Sequence, residues 1–173
     1  ITLEGIKQQE INGITEIKSF TVDNSAGVTV NNDLSVTDTL TINNGLLTIG
    51  SGFSFASNVK QGKTSNLQML REIDDNQGWR MIAPPLASTY SDFLDGTTTQ
   101  GYNGASLTSD TLQPSVLYYD ESYPGTDNQR WRAPSDASDD LKPGRGLFVY
   151  FFGDVSEDDR YNNSLPDTLT IQG

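Results

Sequence analysis

Two groups of carboxylates stand out in the second half of the chain. They are Asp136, Asp139 and Asp140, and then Asp154, Glu157, Asp158 and Asp159. Hard cations take several carboxylate and carbonyl oxygens, so calcium is the cofactor these groups would suit. Neither group has EF-hand spacing, and the plainer reading is a pair of solvated acidic loops. A calcium ion here would pin a loop rather than catalyse, and no other cofactor is expected.

Catalysis lacks its usual parts. The chain has no His and no Cys. That removes the commonest general base, the commonest transition-metal ligand and every thiolate. A Ser or Thr nucleophile would need Lys or a carboxylate as its base. A paired-carboxylate glycosidase is formally open, since Asp and Glu are plentiful. Abundant carboxylates on an acidic surface are more simply solvation, so no catalytic residues are assigned and a hydrolase fragment is the lesser alternative. Gly101-Tyr102-Asn103-Gly104 reads as a turn, not a phosphate loop.

Binding chemistry is better represented. Sugar platforms use exposed aromatic rings beside polar groups, and aromatic side chains carry both an apolar body and a polar handle. Tyr102, Tyr118, Tyr119, Tyr123, Trp131 and Tyr161 lie in or near polar stretches. Tyr102, Tyr123, Trp131 and Tyr161 are the main glycan-contact candidates. Trp79 enters an apolar strand and reads as core. Thr37, Thr39 and Thr41 alternate like a flat ice-binding row, but one such row is an ordinary strand.

The charge balance narrows the partners. Eleven Lys and Arg stand against 23 Asp and Glu, a formal charge of -12. Such a chain repels phosphate backbones, so no nucleic-acid partner is expected. No run of 18 apolar residues is present, so no membrane insertion is expected. The chain starts at Ile1 without Met, which suggests a processed chain or a piece of a longer one.

These residues need a scaffold, and the pattern is all-β. Apolar-x-apolar units recur at Phe20-x-Val22, Val28-x-Val30, Leu34-x-Val36, Leu40-x-Ile42, Leu47-x-Ile49 and Phe53-x-Phe55. From Val28 the units step by six or seven residues. Asn, Asp and Gly fill the gaps, at Asn31-Asn32-Asp33, Asn43-Asn44-Gly45 and Gly50-Ser51-Gly52. Strands this short suit a parallel β-helix, with three of them per coil of roughly 18 residues. Val28 should then stack near Leu46 and Leu47.

The organisation read from this is a β-helix-like repeat segment over 1–58, a connector over 59–76, and a small β-sandwich-like module over 77–173. In the module, strands are expected at 78–85, 116–119, 147–152 and 167–172, with a short helix over 90–96 closed by Gly96. The repeat segment opens with Ile1, Leu3, Ile6, Ile11, Ile14 and Ile17 among polar residues. This stretch could cap the helix or offer an edge to a neighbour. The expected partners are therefore further copies or neighbouring repeats of the same protein.

The module's order of motifs resembles a known family. Gly78-Trp79-Arg80, then Ala83-Pro84-Pro85, then Leu141-Lys142-Pro143-Gly144-Arg145-Gly146-Leu147-Phe148-Val149-Tyr150 is similar to a module in large surface proteins of Bacteroidetes-like bacteria. There it follows β-helical repeats. The resemblance implies type IX-type export and display at the cell surface or in the extracellular matrix. It also implies O-glycosylation at Asp, Ser or Thr, apolar triplets, which makes Thr39, Thr111 and Thr168 candidates. Asn162-Asn163-Ser164 fits N-glycosylation, a weaker expectation in a bacterial chain. The expected function is a non-enzymatic structural or adhesive module, in one form a filament subunit. The alternative is a glycan-binding module of a larger secreted protein.

Overall fold

The computed structural model describes residues 1–14, 16–74, 76–107, 111–153 and 165–172. It is all-β, with a parallel β-solenoid segment of about three turns plus antiparallel sheets. Two compact units are present: Ile1–Glu72 with Thr170–Gly173, and Ile73–Leu169.

In the first unit, one wall of the solenoid is built from β1 (Thr2–Gly5), β3 (Glu16–Asn24), β5 (Leu34–Asn44) and β7 (Phe55–Gly62), in that order. The other wall runs β15, β8, β6, β4, β2. Here β2 is Gln9–Ile11, β4 Val28–Val30, β6 Leu47–Ile49, β8 Leu67–Ile73 and β15 Asp167–Gln172. Val28 pairs with Leu47 in parallel register, and Leu47 with Leu67. The Val28 amide donates to the Leu46 carbonyl at 2.8 Å. The coil thus steps 19 residues (from 28 to 47) and then 20 (from 47 to 67), rather than 18. Part of the extra length lies in β5, one long strand where a sharper corner was expected. Across the register shift it runs from Val36 to Thr39, while β3 runs only from Ile17 to Ser19 and β7 from Ser57 to Val59.

Stacking the first five short units puts their apolar members inside. Phe20, Val22, Val28, Val30, Leu34, Val36, Leu40, Ile42, Leu47 and Ile49 are all buried. Each such side chain contributes roughly 1.5–3 kcal/mol when fully buried. The sixth unit departs from the pattern: Phe53 is exposed, and only Phe55 joins the ladder, opposite Leu34. Residues 67–73 continue the ladder as β8, because Leu67-x-Met69 repeats Leu47-x-Ile49 one coil later.

The corners depend on two close backbone approaches. Asn24 is buried; its side-chain amide donates to the Lys7 carbonyl and to Gln9 Oε1, and its Oδ1 accepts from the Ala26 amide. Gly45, at φ +80°, sits so close that a Cβ would fall 1.7 Å from the Asn24 carbonyl oxygen. Gly62, at φ +78°, would place one 2.3 Å from the Ile42 oxygen. Only glycine fits both conformation and space.

The second unit is antiparallel. Its main sheet runs β12 (Trp131–Arg132), β11 (Val116–Tyr119), β14 (Leu147–Phe151), β9 (Gly78–Ile82). A separate pair joins β10 (Ser88–Thr89) to β13 (Asp140–Leu141). The helix α1 (Tyr90–Phe93) is one turn long, and Thr89 caps it by accepting the Asp92 amide at 3.1 Å. The inner side of the sheet carries Val116, Leu147, Val149 and Phe151, which form the core with Leu86, Tyr90, Phe93 and Leu94.

Candidate functional site: an aromatic sheet face

Successive residues of a strand point to opposite sides, so the four-stranded sheet has a second face. Register fixes its members. Phe148 lies opposite both Met81 and Leu117, Tyr150 opposite Trp79, and Tyr119 opposite Trp131. All seven of these outward positions are aromatic or apolar, and none is charged. In a chain of net charge -12 this is a marked segregation.

The rings form one connected ladder. Trp79 stacks on Phe148 with centroids 4.6 Å apart, and Trp131 closes on Phe148 from the other side at 5.8 Å. Tyr150 meets Trp79 edge-on at 5.4 Å, and Tyr119 meets Trp131 edge-on at 5.2 Å. Phe148 is thus held between two indoles. Trp79 is 40% exposed and Met81 73%, while the other five are half-buried. At the rim, Tyr119 donates to Asp127 Oδ1 at 3.4 Å, and Arg130 reaches the same oxygen at 3.5 Å. Rings, hydroxyls and a carboxylate therefore lie together.

Trp79 is not a core residue, contrary to the expectation. The strand's inward members are Arg80 and Ile82, which face Val149 and Leu147. Arg80 is tied down by Asp74 and by the Asn76 carbonyl. The Arg80 hydrogen bond holds the Asp74 carboxyl below its ordinary pKa. An apolar strand has two sides, and composition does not say which one is covered.

Of the glycan candidates, Trp131 is on this face. Tyr102 is not: it is half-buried in a loop, and burial raises its pKa against the opposing hydrogen bond of Thr99. Tyr123 lies under the Arg132 guanidinium at 4.0 Å, and Tyr118 under Arg145 at 3.9 Å; Tyr119 is in the ladder. Tyr161 lies outside the described residues. The sequence reading missed Phe148, Tyr150, Met81 and Leu117. The signal was the alternation in 147–152, where every second residue is buried.

The acidic candidates do not converge. Asp136 Oδ1 accepts the Ser138 amide and hydroxyl, and Asn103 donates to its other oxygen. These bonds, the Ser138 amide first, lower its pKa. Asp139 Oδ2 accepts the amides of Ser135 and Asp136, and Asp140 is exposed in β13. The 135–139 loop is thus closed by its own carboxylates. Among the described residues no three acidic side chains are grouped to hold a metal. Asp154, Glu157, Asp158 and Asp159 lie outside the described residues, as does the Asn162-Asn163-Ser164 triplet.

Of the modification candidates, Thr111 and Thr168 are exposed, while Asp110 before Thr111 is outside the described residues. Thr39 is half-buried, and its hydroxyl donates to Asp38 Oδ1 at 3.2 Å.

Compared with protein-family models, curated proteins and solved structures, the chain matches none.

Proposed function

We propose that this chain is a non-enzymatic adhesive module of an extracellular or cell-surface assembly, and that it binds glycan on the aromatic face of the second unit. The observation that carries this reading is the ladder itself. Seven neighbouring outward positions hold rings and apolar side chains, with Tyr119 and Asp127 as polar groups at its rim. Aromatic surface stacks on the C–H faces of sugars, and rim hydroxyls and carboxylates meet their O–H groups. A solvent-exposed apolar patch on a sheet marks an interaction site. The resemblance to bacterial surface modules supports the location.

The test is retention of the full chain on insoluble and soluble polysaccharides, with tryptophan fluorescence as readout. Wild type is retained and its fluorescence shifts on binding. A variant carrying Trp79→Ala and Met81→Ala keeps its circular dichroism and loses retention. Equal retention of variant and wild type overturns the reading.

A second reading, self-association, has its own observation. The strands β1 and β2 are the outermost of their two walls, and Ile1, Ile6 and Ile14 are exposed on that coil. Edge strands with apolar side chains pair with other chains. Sedimentation of the isolated chain at rising concentration tests it, and a constant monomer mass overturns it.

A further inference from the structure

The side of the four-stranded sheet opposite the aromatic face holds two arginines with an unusual lack of partners. Arg132 and Arg145 are both half-buried. Among the described residues neither forms an ion pair, although Arg80 and Arg130 both do. Neither guanidinium donates a hydrogen bond to another described residue. Each is held in place by a ring instead: Arg145 over Tyr118 at 3.9 Å, Arg132 over Tyr123 at 4.0 Å. Tyr118 and Arg132 are direct cross-strand partners. Side chains so placed have Cβ atoms about 5 Å apart, so the two stacks adjoin. The carboxylate nearest in effect is Asp120, whose pKa falls mainly through its bond to the Ser122 side chain and only in part through Arg145. It spends Oδ1 on the Ser122 amide and hydroxyl.

We propose that Arg132 and Arg145 form a binding site for the carboxylate of a uronic-acid sugar. The proposal rests on the reading of the chain as a glycan-binding module and names a ligand class for it. A guanidinium is a planar fork of N–H donors that matches a carboxylate in two parallel bonds. Stacking on Tyr118 and Tyr123 fixes both forks before the ligand arrives, so little side-chain entropy is lost on binding. Tyr123 is 37% exposed, so part of that side chain is open to the rest of a pyranose next to the Arg132 stack. The net charge of -12 opposes a densely charged polymer at long range. At physiological salt that field is screened beyond about 8 Å, while contacts within the site are not. A short uronate oligomer therefore reaches the site with little long-range repulsion.

The experiment is calorimetric titration of the full chain with trigalacturonate, the neutral galactose trimer and a triglutamate peptide. The expected result is binding of the uronate at least tenfold tighter than either of the others, weakening as salt rises. Arg132→Gln with Arg145→Gln removes that preference and leaves binding of neutral polysaccharide on the aromatic face unchanged. Arg→Lys at both positions keeps the charge, loses the fork and falls between. Equal affinity of wild type for uronate and neutral sugar overturns the proposal without any variant being needed. Equal or tighter binding of the peptide overturns it in favour of a protein partner. Loss of neutral-polysaccharide binding in Trp79→Ala with the uronate preference intact separates the two sites. No neutral binding by wild type, with uronate still bound through the arginines, overturns the aromatic-face reading alone.

Discussion

The indole of Trp79 lies flat against the phenyl ring of Phe148, 4.6 Å between centroids and 17° from parallel, although 69 positions separate them (79 to 148). The contact exists because β9 and β14 are antiparallel neighbours with Met81 opposite Phe148 and Trp79 opposite Tyr150. Aromatic pairs of this kind contribute about 0.5–1.5 kcal/mol beyond their buried area. Phe148→Leu is expected to lower the unfolding free energy by about 1–2 kcal/mol. It should also shift tryptophan emission to the red, since both indoles lose a ring neighbour. An unchanged emission maximum would show that the ladder is not packed as described.

Gly45→Ala is expected to be among the most damaging single changes. The new Cβ meets the Asn24 carbonyl oxygen at 1.7 Å, and φ is +80°. A residue forced into this region costs about 1–3 kcal/mol before the clash is added. Gly52→Ala is the control: φ is +82° but nothing lies within 4 Å of the added carbon. Thermal melts should show a clearly larger drop in Tm for the first. Equal drops would mean that conformation alone, and no close approach, governs the corner.

Leu47→Ala removes a fully buried side chain in register with both Val28 and Leu67. Core truncations of this size cost about 2–5 kcal/mol. Val59→Ala, on the exposed strand β7, should stay within about 0.5 kcal/mol of wild type. Urea unfolding of both variants measures the contrast.

Acid should loosen the coil-to-coil bonds. The Ser54 amide and hydroxyl donate to Asp33 Oδ1 at 2.8 and 2.9 Å and hold its pKa below the usual 3.8. A carboxylate whose folded pKa is depressed adds stability above its unfolded value and loses it as pH falls through the folded one. Tm is therefore expected to be flat above pH 5 and to fall below about pH 4. Asp33→Asn should make that fall shallower. An identical slope in the variant would remove Asp33 from the explanation.

Much of the solenoid was legible because its residues repeat a local rule. Val28, Leu34, Leu40 and Leu47 each begin an apolar-x-apolar step bounded by Asn, Asp or Gly, and the stacking of Val28 on Leu47 follows from counting one coil. The same counting lost Phe53, since period alone does not tell where a rung turns outward. In the second unit β11 was legible from its apolar run. The strand β12 was not: Trp131 and Arg132 make a two-residue strand that exists only because β11 lies beside it. The face of Trp79 and the pairing of Tyr118 with Arg132 depend on which strands become neighbours across long loops, and no local pattern encodes that.

The strand β7 ends its wall with Ser57, Lys60 and Gly62 in register over Val36, Leu40 and Ile42. Apart from Phe55 over Leu34, no apolar side chain occupies the rung where the next layer would sit over these residues, and the wall stops there. The coil between Val28 and Leu47 lies inside both walls and is paired in parallel on each side. Duplicating its 19 residues would add one rung of about 4.8 Å and leave every other rung with the neighbours it has now. The segment could be lengthened in whole steps, as one adjusts a ladder, without redesigning either end.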